Sequence, residues 1–210
     1  MKTIISIATT GDRPHQLART LESLKGQADE IRVYDNSRFI DYKAAAKFYP
    51  LQFIKEPVYF LTCDDDLIYP PDYVISTLMF IDRYQSIITY HGRILKESQK
   101  TYYGSAHEGV HHWKLVTEPR RLDTVGTGCA GFRTDYFNPV DLYKTPHNRM
   151  VDLVCALEAW KQGKQIITPT KRMDYIIEQP VNSSILATES KTDQQWQVWH
   201  VNQILTLKNS

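Results

Sequence analysis

Short apolar, β-prone runs alternate with segments of helical spacing through the first half of the chain, and three of those runs end on polar clusters. Ile4 to Thr9 leads into Thr10-Gly11-Asp12-Arg13, and Pro14 suits the first turn of a helix. Leu17, Leu21 and Leu24 then recur at helical spacing, and Gly26 stands where such a helix stops. Ile31 to Tyr34 ends in Asp35-Asn36-Ser37. A short helix is expected around Asp41 to Phe48, and Leu51 to Ile54 reads as a brief strand. Val58 to Thr62 leads through Cys63 into Asp64-Asp65-Asp66. After Pro70-Pro71, Asp72 to Tyr84 reads as helix and Ile87 to Tyr90 as strand. Strands and helices in this order predict an α/β fold with a mainly parallel central sheet flanked by helices. In such sheets ligands bind beyond the carboxyl ends of the strands, where all three polar clusters fall.

The second half is less regular. Arg93 to Thr117, rich in Tyr, His and Trp, is expected to hold a hairpin or loops. Val125 to Phe132 carries Gly126, Gly128 and Gly131 and reads as a strand with a tight turn. Arg149 to Gln162 predicts a helix, with either Val151, Val154 and Leu157 or Met150, Leu153 and Leu157 turned inward, ended by Gly163. Ile166-Ile167 reads as a last strand and Gln194 to Leu207 as a C-terminal helix.

At 210 residues the chain suits one domain with a sizeable core. A net charge of +1 gives no bulk electrostatic case for nucleic acid or an anionic membrane. Cys63, Cys129 and Cys155 are far apart and form no CxxC pair, which suits buried thiols in a reducing compartment. The N-terminal apolar run turns polar too soon for a signal peptide, and no stretch approaches the length of a membrane span. A cytoplasmic location is expected, with peripheral docking to a membrane left open.

Three adjacent carboxylates at a strand end repel one another, and a divalent cation removes that cost. Mn²⁺ or Mg²⁺ favours oxygen ligands, and Mg²⁺ typically takes one or two carboxylates together with substrate phosphates. The competing reading is a solvated acidic turn. The strand leading into the cluster and the Pro-rich turn after it favour the metal.

The ordered set of strand-end motifs resembles the GT-A glycosyltransferases, in particular glycosyltransferase family 2. The resembling residues are Ile4 to Thr10 with Asp12-Arg13, then Asp29 to Ser37, then Tyr59 to Pro70 with the aspartates as a DXD-like segment. The likeness is good over about residues 3–90 and looser to about 165. It implies one glycosyltransferase domain over 1–210, with a nucleotide-sugar-binding half at 1–92 and an acceptor-binding half at 93–210. By position it implies that Thr9 and Arg13 line the nucleotide pocket and that Asp35 meets the base or ribose. Asp64 and Asp65 would contact ribose or metal, and Asp66 would be the main metal ligand, with Asp64 beside it. Asp35 also reads as a turn former. Only 28 residues separate Asp35 from Asp64, fewer than the family usually has, and its Asn-Gly element is missing.

Asp152, near the start of an otherwise apolar helix, corresponds to the family's general base; a carboxylate there is also explained by the helix dipole. Glu158 is the fallback. The Gly126 to Gly131 segment reads equally as a bulged strand or as a close approach beside sugar or acceptor. His107, His111, His112, His147 and His200 lack tidy metal spacing and read first as structural, and Trp113 is a candidate for stacking on a sugar.

The expected function is metal-dependent transfer of a sugar from a nucleotide-diphospho-sugar, UDP-sugar favoured, to an acceptor hydroxyl with inversion. Candidate acceptors are a glycan, a lipid-linked glycan or a modified nucleobase in DNA. The alternatives are a nucleotidyltransferase on a related fold, against which stands the lack of a lysine in the loop after the first run, and a binding domain without catalysis. Homo-oligomerisation is left open.

Overall fold

The computed structural model describes residues 1–96, 102, 107–180 and 194–210. Its centre is a seven-stranded sheet in the order β2 (Glu30–Asp35), β1 (Thr3–Thr9), β3 (Tyr59–Asp64), β9 (Cys129–Arg133), β5 (Ile87–Thr89), β10 (Ile166–Thr168), β8 (Arg120–Leu122). β2, β1 and β3 pair in parallel, as do β5 and β10. β9 runs against both of its neighbours and β8 against β10. Five strands therefore share one direction, and the sheet is mostly parallel. β9, from the second half of the chain, lies between two strands of the first half.

Residues alternate between the two faces, and both faces are covered, which is why the strands read as continuous apolar runs. On one side Ile4, Phe60, Ile87, Phe132 and Ile166 pack under α3 (Val151–Lys161), α4 (Gln195–Asn209) and a 3-10 helix (Lys43–Phe53). On the other side Ile5, Ile7, Leu61, Cys63 and Ile88 pack with residues of α1 (Pro14–Leu24) and α2 (Tyr73–Tyr84). Two small antiparallel pairs complete the described structure. β6 (Gly92–Leu95) pairs with β7 (His107–Val110), and β4 (Leu67–Ile68) with β11 (Ile177–Glu178).

Leu51 to Ile54 is not a strand. It finishes the 3-10 helix, where Ala45, Phe48 and Leu51 bury one face. β1 is already paired on both sides along its length, so no sheet position is open beside it. The strand expected over Val125 to Phe132 begins only at Cys129, because the preceding residues form a loop over the sheet's edge. The expected hairpin within Arg93 to Thr117 is present as β6 and β7, although residues 97–101 and 103–106 lie outside the described residues. All three cysteines are buried and free. Among the described residues no helix is long and apolar enough to cross a membrane.

Candidate active site

The register of the parallel strands makes the site. Thr9 is level with Asp35 across β1–β2, and Ala8 with Asp64 across β1–β3, so three strand ends open on one edge. Cys63 is level with Cys129, which brings the Gly126-Thr127-Gly128 loop against the same edge. Together they line a cleft of about 490 Å³ that includes Thr9, Arg13, Lys47, Asp64, Asp65, Asp66 and Asp152.

Lys47 matches Asp64, while Arg13 serves both Asp65 and Asp66. Asp64 pairs with Lys47, whose ammonium reaches it from the 3-10 helix and is itself 3% exposed. Burial alone would pull Lys47 down, but the charges of Asp64, Asp152 and Asp65 outweigh it and hold the ammonium above its ordinary value. Asp65 is buried; burial pushes its carboxyl up, opposed by the Thr9 hydroxyl and Arg13. Arg13 Nη1 donates to Asp66 Oδ2 at 2.9 Å and lies 3.7 Å from Asp65 Oδ1. Burial, with Asp64 and Asp65 nearby, pushes Asp66 up to about 7. A carboxyl so raised marks a place where added positive charge is favourable. Among the described residues no three of His, Cys, Asp and Glu are gathered to hold an ion. Asp66 and Asp64 are oxygen donors of the kind hard cations take, and in this structure Arg13 and Lys47 pair with them.

Asp152 is held differently. Its Oδ1 accepts from the Thr127 backbone N–H at 2.9 Å and the Thr127 hydroxyl at 2.6 Å. Burial raises its carboxyl above the ordinary value, and the Thr127 bonds and Lys47 act against that rise. Next to Thr127, Gly128 has no room for a side chain: an added Cβ would meet Asp64 Oδ2 at 2.0 Å. The Tyr69 hydroxyl donates to the Gly128 carbonyl at 2.5 Å and accepts from the Asp64 N–H at 2.8 Å, locking β3 to the loop. Gly126 is crowded too, since an added Cβ would meet the His91 Cβ at 2.7 Å. The glycines are thus close-approach positions, and what approaches is protein.

Thr9, Arg13, Asp64, Asp65, Asp66 and Asp152 are brought together. Asp35 is not among the lining residues. Its carboxylate is taken by the Ser37 N–H and hydroxyl, which hold it below its usual range, and Arg38 lies 3.1 Å away. Its neighbour Asn36 lines the cleft instead, donating to the carbonyls of Thr9 and Lys43 and so tying the 3-10 helix to the end of β1. Glu158 is away from the cleft and accepts from Gln162. Trp113 does not line it either; its ring stacks on His111 at 4.4 Å. His147 and His200 pack with Trp196 at α4. Sequence reasoning missed Lys47, Asn36, His91, Arg149 and Glu178, all of which line the cleft. For Lys47 a signal existed: Lys43 and Lys47 bracket three alanines, an i, i+4 pair of cations on a small-residue helix.

No family model matches this chain, and no curated protein matches it. Solved structures do. TarS residues 1–349 from S. aureus, in complex with UDP-GlcNAc, aligns with a TM-score of 0.57 at 13% identity, over 99% of this chain and 66% of that one. A197 from STIV aligns with a TM-score of 0.44 at 11% identity, over 88% of this chain and 97% of that one. The fold is GT-A-like.

Proposed function

We propose that this chain is a glycosyltransferase that moves a sugar from a UDP-sugar to an acceptor hydroxyl, with inversion and with the help of Mn²⁺ or Mg²⁺. The observation that carries the reading is the pairing, across one Gly-Thr-Gly loop, of two carboxylate sets with different partners. One set, at the end of β3, is matched by cations. The other, Asp152, is held by neutral donors and has its affinity for a proton raised by burial. A group transfer from a diphosphate needs both: charge control at the leaving group and a proton acceptor at the attacking hydroxyl.

Asp66 and Asp64 would hold the cation, and a divalent ion there supplies neutralisation of the departing diphosphate. Arg13 and Lys47 add fixed positive charge beside it. Thr9 and Asn36, which line the cleft, would lie against the nucleotide, while Asp35, taken by Ser37, stands outside it. Thr127 orients Asp152 so that its free oxygen takes the acceptor proton as the hydroxyl attacks the anomeric carbon. Among the described residues the cleft carries one carboxylate, Asp152, besides the β3 cluster and Glu178, which supports a single displacement without a protein nucleophile.

TarS was solved with UDP-GlcNAc, which makes that donor the first to try. The test is a thermal-shift screen of UDP-GlcNAc, UDP-glucose and UDP-galactose with and without Mn²⁺, on wild type and Asp66→Ala. Ligand at about 100 times its Kd should add about 2.7 kcal/mol of stability. The gain should need Mn²⁺ and vanish in Asp66→Ala. A gain indifferent to both removes the metal from the reading; no gain with any sugar nucleotide removes the reading itself.

A further inference from the structure

Beside the carboxylates lies a polar cluster that neither the metal nor the base explains. His91 follows β5, His111 and His112 follow β7, and Glu178 lies on β11. The His91 ring centroid is 5.2 Å from that of His111 and 5.6 Å from that of His112. Lys171 Nζ donates to the carbonyls of His111 at 2.8 Å and His112 at 3.2 Å, which fixes this turn against the sheet. His112 is 5% exposed, yet its Nε2 has no hydrogen-bond partner, and neither has Nδ1 of His91. His91, His112 and Glu178 all line the cleft that holds Asp64 and Asp152. β11 pairs with β4, and the Gln179 N–H donates to the Asp66 carbonyl at 2.9 Å, so Glu178 sits directly beside the acidic cluster.

Buried polar atoms in folded proteins are hydrogen-bonded, and one without a partner that faces a cleft points to a ligand. Burial pulls His91 to about 4 and His112 to about 3, so both rings are neutral near pH 7. A neutral imidazole offers one donor and one acceptor. His112 Nε2 and Glu178 Oε1 are 3.4 Å apart and make no hydrogen bond, but a hydroxyl oxygen can sit against both. It would accept from the ring N–H and donate its own proton to the carboxylate. Phosphate suits this corner poorly, because Glu178 is negative and the fixed cations Arg13 and Lys47 stand at the other carboxylates. A metal suits it poorly as well, since among the described residues no three ligands are gathered about one point.

We propose that His91, His112 and Glu178 form a subsite that reads the hydroxyls of the transferred hexose, and thereby sets which sugar the donor carries. This rests on the glycosyltransferase reading above. Sites built to bond a hydroxyl reject analogues that lack it or point it elsewhere, because buried polar groups are then left unpaired. Discrimination among epimeric hexoses is therefore the expected output of this corner, while the nucleotide is gripped elsewhere.

The test is calorimetry with Mn²⁺ and four probes: UDP, UDP-glucose, UDP-galactose and UDP-GlcNAc. Wild type should bind one conjugate about tenfold more tightly than the others. His112→Phe and, because its side chain is exposed and folding should tolerate the change, Glu178→Ala should each weaken that conjugate about tenfold. Both should leave the Kd for UDP within about twofold of wild type. Equal weakening of UDP and conjugate, or no weakening of either, overturns the subsite. Wild type that binds UDP but treats the three conjugates alike overturns it alone, leaving the parent reading in place. Wild type that binds none of the four overturns both.

Discussion

Two carboxylate regions face each other across the Gly126-Thr127-Gly128 loop, and they are built on opposite principles. At the end of β3 the aspartates crowd together and are matched by charge: Asp64 by Lys47, Asp66 by Arg13. At the start of α3 a single aspartate is matched by hydrogen bonds from one threonine. Charge pairs in a cleft can be exchanged for other charges, such as a cation with a diphosphate. At Asp152 burial raises the proton affinity, and the Thr127 donors, with Lys47 further off, only partly offset that rise. The difference teaches that the two regions are suited to different tasks, although all four residues are aspartate.

The largest effect is expected where the comparison is broken outright. Asp152→Asn keeps size and removes the proton acceptor, so turnover should fall about 10²–10⁴-fold, the usual range for a lost general base. Donor affinity by calorimetry should hardly change, because a base in the proposed reaction touches the acceptor and not the nucleotide. Near-normal transfer by this variant, or an NMR spectrum showing the donor's anomeric configuration kept in the product, would end the case for Asp152 as base in an inverting reaction.

Two neighbouring residues of the shared loop offer a sharper probe, since they touch different sides. Gly128→Ala drives a Cβ into the Asp64 carboxylate and must displace it from Lys47. Overpacking of this kind costs about 1–3 kcal/mol. Chemical denaturation should show that loss, and donor binding should weaken with it, while turnover at saturating donor changes less. If Gly128→Ala instead lowers turnover and spares donor binding, the two sides are not separate.

Thr127→Val is the smallest perturbation. It removes one hydrogen bond to Asp152 and keeps the backbone N–H, a loss of about 1 kcal/mol and thus roughly fivefold in turnover. Its sign shows in the pH profile. Asp152 must be unprotonated to act, and burial sets its pKa above 3.8, so wild-type activity should fade on acidification earlier than for an ordinary aspartate. The Thr127 hydroxyl lowers that pKa, so its removal should move the acid limb of kcat to still higher pH. An acid limb unmoved in Thr127→Val would mean that another group limits the rate.

The sequence by itself determined the strands β1, β2, β3, β5 and β10, the helices α1, α2, α3 and α4 and the edge where the site forms, but not β4, β8 or β11. Apolar runs that end in polar clusters can hardly be satisfied except in a sheet buried on both faces with its strand ends exposed. That reasoning singled out the Asp64 to Asp66 cluster, while Asp152 became a candidate from its place near a helix start and from the family resemblance. It failed where periodicity is silent. Leu51 to Ile54 is too short an apolar run to tell strand from helix, and the sheet had no open place beside β1. Only the tertiary structure decided the partners. Lys47 meets Asp64 because the 3-10 helix packs across β1, and Thr127 meets Asp152 because β9 inserts antiparallel between β3 and β5. His91, His112 and Glu178 are each more than twenty residues apart along the chain and meet only because β5, the β6–β7 hairpin and β11 end at one place. Counterions, hydrogen-bond donors and proton affinities are properties of neighbours in space. Local spacing records which face a side chain takes, and nothing about what waits there.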